Sequence, residues 1–234
     1  MTTKNQLFIS VTKLYPILSY LERVGISRKS FCSATGLSAE ALRDPDLKIS
    51  LAKLDDIFEF AQRMTKDEFL GLHMGEQLTR PFSHIIGHIM MNCETLLQAL
   101  SKFCEYQRLV DETTKTVFFE EDGYTVIESD ILDMSIRNSR IVAEYKLSGS
   151  YAYAKMLTEK KIHLSRVEFN HKAPINKGEY DRIFCCPVHF NKPRNALVMD
   201  SKCLSYPIIE PNKKLLEAFE MQAKSMLSSF DVND

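Results

Sequence analysis

Apolar residues recur at three- and four-residue steps through roughly the first hundred positions, change to β-like runs, and then return to helical spacing. Leu7, Val11, Leu14, Leu18 and Leu21 share one face of a helix that Gly25 ends, and Pro16 either kinks that helix or starts it anew. Ser27 reads as the N-cap of a short helix through Cys32, stopped near Gly36, and Ser38 as the start of another through Leu42. Ser50 caps a helix with Leu54, Ile57, Phe58 and Ala61 in its stripe, and the acidic pairs Asp55-Asp56 and Asp67-Glu68 suit helix starts. The apolar stretch from Phe82 to Leu109 closes this helical part.

Thr116–Glu120 and Tyr124–Glu128 are then rich in β-branched and aromatic residues, with Glu121-Asp122-Gly123 supplying a hairpin turn. A long helix from about 135 to 160 carries Ile136, Val142, Ala143, Leu147, Tyr151, Ala154 and Leu157 along one face. A strand over 166–170, a short helix over 178–183, strands at 187–190 and 196–199, and a terminal helix over 214–230 follow. This order predicts an α+β fold: a helical amino-terminal lobe (1–109), an antiparallel sheet with a long crossing helix (110–209) and a terminal helix (210–234), joined as one composite domain.

Composition removes several function classes. The 30 Lys and Arg balance 31 Asp and Glu, for a net charge of -1, so the basic excess that phosphate neutralisation demands of a nucleic-acid binder is missing. The segment Ala39–Asp44, the only candidate second helix of a helix-turn-helix, carries as much acid as base. Apolar runs stay far below the roughly 18 residues of a membrane helix. Six scattered cysteines without a secretory signal suit a reduced, cytoplasmic protein, with adjacent Cys185-Cys186 read as small buried residues at a strand start. No Gly-x-Ser-x-Gly elbow, phosphate loop or metal-ligand framework is present, so no catalytic residue, metal or cofactor is expected. Glu144 is the one acid in an apolar setting and reads as a surface or helix-pairing residue. His84 and His88 stand four apart, a spacing two metal ligands share, but no third ligand follows.

Phe82, Gly87, Thr95, Leu96, Ala99 and Leu100, followed by Val167–His171, Ile183–Phe190 and Asn195–Leu197, resemble the amino-terminal effector domain of AraC/XylS transcription regulators, in the ornithine-utilisation branch. Thr65–Leu72 and Ser205–Asn212 extend the resemblance over nearly the whole chain; Ser83 departs from it, standing where a glycine is usual. The resemblance implies a small-molecule effector domain that dimerises, with DNA reached only through a carboxyl-terminal helix-turn-helix domain absent from these residues. On that basis an effector pocket is expected from Phe82, Ile85, His88, Met91, Phe103, Tyr106 and Tyr145, and a dimerisation face from Leu215, Phe219, Ala223 and Met226. Arg108, Arg137 or Arg140 can meet an effector carboxylate. The alternative is a stand-alone small-molecule or haem-type gas sensor using His84 or His88.

Overall fold

The computed structural model describes residues 8–44, 47–78, 84–132 and 136–231. Strand β1 (Phe8–Ser10) pairs antiparallel with β2 (Lys48–Ser50), and between them lie a 3-10 turn at Val11–Leu14, helices α1 (Tyr15–Arg23) and α2 (Arg28–Thr35), and a 3-10 turn at Ala41–Arg43. Pro16 stands in the first turn of α1, where its missing N–H costs nothing, so the expected single first helix becomes a strand, a turn and a new helix. Ser27 and Ser50 accept backbone N–H bonds from Ser30 and Lys53, capping α2 and α3 (Leu51–Thr65). The Ser38 segment makes only the 3-10 turn, too short for a recognition helix.

Helices α4 (Leu70–Glu76), α5 (Ile85–Met91) and α6 (Leu96–Tyr106) complete the helical part. The sheet then forms from β3 (Thr114–Glu121), β4 (Tyr124–Ile131), β5 (Leu164–Glu168), β6 (Val188–His189) and β7 (Ala196–Asp200), in the order β3-β4-β7-β5-β6. All neighbours are antiparallel except β5 and β6, whose parallel pairing follows from the crossover through α8 (Gly178–Phe184). Asp122 and Gly123, at φ 52° and 79°, make the tight β3-β4 turn that needs two left-handed residues. Cys185 is neither buried nor in a strand: it is exposed, in a left-handed conformation that ends α8.

Helix α7 (Ser139–Thr158) is the centre of the molecule. The sequence suggests one apolar face, yet burial extends around most of its circumference, from Ile141 and Val142 through Leu147 and Tyr151 to Tyr153 and Leu157. The reason is that it touches three packing regions: Ile141 and Val142 join the core of α1–α3, Ala143, Leu147 and Tyr151 join the sheet core, and Tyr153 and Leu157 join α5 and α6. Its contact with α4 is close. A Cβ on Gly71 would lie 2.7 Å from Cβ of Glu144, and one on Gly75 would lie 2.6 Å from the Gly149 nitrogen and strike the Ser148 hydroxyl. Its amino terminus is capped from outside: Asp55 of α3, buried at 2% exposure, accepts the backbone N–H of Arg137 and of Asn138, each at 3.0 Å.

The chain ends in α9 (Lys213–Asp231), reached through a tethered segment in which Leu96 N–H donates to Tyr206 and Ile208 N–H to the Glu94 carbonyl. Leu216 and Ala223 are buried against α5 and α6, Phe219 is half-buried and stacks on His88 with ring centroids 5.1 Å apart, and Lys102 of α6 pairs with Glu220. Leu215 and Met226 keep 46% and 38% of their surface exposed, so the docked stripe is rotated from the expected one.

Candidate functional site

A cavity of about 750 Å³ lies between the helical part and the sheet. Helix α6 contributes Leu96, Leu100 and Phe103, and α7 contributes Tyr145, Tyr151, Ala154 and Leu157. The sheet closes the other side with Ile127, Leu164, Leu197 and Met199, so residues more than a hundred positions apart share one apolar wall. A Gln107 amide fastens the two sides: its Nε2 donates to the Thr116 carbonyl at 2.9 Å and its Oε1 accepts the Thr116 N–H at 2.6 Å, satisfying edge-strand groups of β3 beside the cavity.

Polar lining gathers where the first 3-10 turn meets the start of β3. Asp111 accepts from Lys146 at 2.5 Å and from the Thr113 and Thr114 hydroxyls at 2.7 and 2.8 Å, with Lys13 at 3.3 Å. Burial alone would raise the Asp111 carboxyl, but Lys146 and Lys13 hold it well below the usual carboxylate range. Burial lowers Lys13 to about 8, against the pull of Asp111 and with the help of Lys146. Burial, followed by the charge of Lys13, lowers His84 to about 4, which leaves its imidazole neutral at pH 7. Tyr145 is pushed up by burial and by Asp111 and keeps its proton.

Of the residues expected to form a pocket, Phe103 and Tyr145 line this cavity. Ile85 and Met91 pack partly buried in the core under α9, Tyr106 is fully buried there, and His88 is exposed on the outer side, stacked on Phe219. Phe82 lies outside the described residues. His84 lines the cavity while His88 does not. Arg137 is engaged by Asp56 at 2.9 Å and Glu59 at 3.3 Å, and Arg140 by Glu144 at 2.6 Å, so neither faces the cavity. Glu144 is a buried helix-pairing residue rather than a surface one, with Tyr180 donating to the same oxygen. The lysines and Asp111 escaped sequence reading because each sits in a different segment and looks like ordinary surface charge; Thr113 and Thr114 beside Asp111 were the only local signal.

An α+β domain with an internal apolar cavity bearing a charged cluster is the class of protein defined by this architecture. The chain belongs to the family of the arabinose-binding domain of AraC transcription regulators, amino-terminal, whose model matches residues 25–208. It is 22% identical over 219 residues to the ornithine utilization regulator of Pseudomonas aeruginosa, an alignment covering 93% of this chain and 64% of that protein. The crystal structure of the transcriptional regulator CdpR from Pseudomonas aeruginosa shares the fold, with a TM-score of 0.64 at 17% identity over 89% of this chain and 61% of that one. The chain thus spans less than two thirds of the length of either relative. Among the described residues no helix is long and apolar enough to cross a membrane.

Proposed function

We propose that this domain senses a small-molecule effector in the cavity between α6, α7 and the sheet, and passes its occupancy to α9, which supports dimerisation and the action of a DNA-binding domain supplied elsewhere in the regulator. The observation that carries the reading is the cavity itself. Its volume falls in the range of about 300–1,000 Å³ typical of ligand sites, and its wall is apolar with a few convergent polar groups. Family membership supplies the regulatory context. The route to α9 is short: Met226 of that helix lines the cavity, and Leu109 and Val110 line it while packing against the same core as Leu216 and Ala223. An effector that binds better to one placement of α9 shifts its population, and no other coupling is needed.

A neutral apolar dye tests the site without assuming the effector. N-phenylnaphthylamine added to the purified chain should bind saturably at one site. Ala154→Phe, or Leu164→Phe as a second variant, should weaken it by about tenfold, or about 1.4 kcal/mol, by filling the cavity. Dye binding that never saturates, or that both folded variants leave unchanged, would refute the cavity as the sensory site.

A further inference from the structure

Resting on that reading, we infer that the effector is an amphipathic monocarboxylate, with its apolar body against α6, α7 and the sheet and its carboxylate seated at Lys13 and Lys146. Among the described residues three lysines, Lys13, Lys48 and Lys146, line the cavity, against one carboxylate, Asp111. Asp111 pairs with both Lys13 and Lys146, so two cations share one buried anion and the cluster holds one surplus positive charge; Glu112 also acts on Lys13 but is exposed and screened by solvent. Lys48 is exposed, paired in register with Ser10 of β1, and sits in solvent that screens it. His84 adds no charge near pH 7.

The surplus has a cost. Side-chain exposure at Lys13, Lys146 and Asp111 is 26%, 20% and 10%, and a partly desolvated cation without its own counter-ion is unfavourable until one arrives. The depressed ionisation of Lys13 is one expression of that cost. A ligand carboxylate completes the charge balance and gains charge-assisted hydrogen bonds. A phosphate dianion would overshoot a surplus of one. An ammonium head would meet three lysines, with Asp111 already accepting from Lys146, Thr113 and Thr114. A neutral head would leave the surplus in place. Apolar area dominates the rest of the wall, so binding strength comes from the body and selectivity from the head.

Displacement of bound N-phenylnaphthylamine from the purified chain by decanoate, decan-1-ol and decylamine reads the head group, because the three share one apolar body. Decanoate should displace the dye at a concentration about tenfold lower than decanol, and decylamine should be the weakest. Lys13→Met removes the surplus while keeping the Lys146–Asp111 pair, and should bring decanoate to parity with decanol, each read against the variant's own dye affinity. Asp111→Asn, nearly isosteric, raises the surplus and should sharpen the preference for decanoate. Lys13 faces Asp111, Lys146, Glu112 and His84, and burial lowers it to about 8, so it changes charge there. The decanoate preference should therefore fade between pH 7 and 9, with decanol unaffected. Equal displacement by decanoate and decanol in the wild-type chain overturns the carboxylate assignment and leaves the cavity reading standing. Failure of all three to displace a dye that the cavity-filling variants also fail to weaken overturns both.

Discussion

At the scale of single residues, His73 joins elements distant in sequence. Its Nδ1 lies 2.8 Å from Oδ2 of Asp67 and its Nε2 lies 2.8 Å from Oε2 of Glu179 on α8, while Tyr20 of α1 donates to the same Asp67 oxygen. The Asp67 hydrogen bond raises the imidazole, burial opposes it, and Glu179 adds to the rise, giving about 9. A folded-state value above the unfolded one, about 6.5, favours the folded protein fully below that lower value and loses its effect as pH climbs through 9. Wild type should therefore lose stability relative to His73→Gln between pH 6.5 and 9, measured as the separation of their urea midpoints. A separation that stays constant across that interval would show that His73 is not charged in the folded state.

At the scale of elements, the α4-α7 crossing depends on missing side chains. Gly75→Ala places a methyl where the Ser148 hydroxyl and the Gly149 nitrogen already stand. Overpacking of this kind costs about 1–3 kcal/mol, and the helices must part. Because α7 also forms a cavity wall, dye affinity should fall together with the urea midpoint. Gly25→Ala, at a position with open space around it but φ of 86°, should cost stability alone, since its strain is local. The helices themselves are legible in sequence wherever a cap and a stripe coincide, as at Ser27 and Ser50; the cap at Thr95 went unread. Misreadings fall where tertiary contact overrides a local signal. Asp55 resembles a capping residue of its own helix, yet it caps α7, more than eighty residues later.

At the scale of the whole molecule, α9 is held on its own domain by Leu216, Ala223 and the stacked Phe219, while Leu215 and Met221 stay exposed at 46% and 71%. The proposed homodimerisation would use this outer side, since a closed two-fold pair is the commonest oligomer. Sedimentation of the purified chain should give a dimer that Leu215→Glu or Met221→Glu converts to monomer. Both substitutions fall on exposed positions, so the fold is spared. A wild-type chain that sediments as monomer at high concentration would remove the dimer and leave α9 as an intramolecular element.

The sequence by itself determined the helical and strand periods, the α+β order, the caps at Ser27 and Ser50, the charge balance that argues against direct DNA binding, and the motif resemblance that family membership bears out. These are local or additive properties: a cap needs three residues, a stripe one helix, a net charge only a count. It did not disclose the cavity or its charged end. Lys13, Asp111 and Lys146 are separated by 98 and 35 positions, and nothing local distinguishes them from solvated charges. Nor did it disclose that α7 is buried around most of its circumference, because burial belongs to whatever packs on a helix and not to the helix alone. Only folding brings the first 3-10 turn, the start of β3 and α7 together, and the chemistry of the site exists only once they meet.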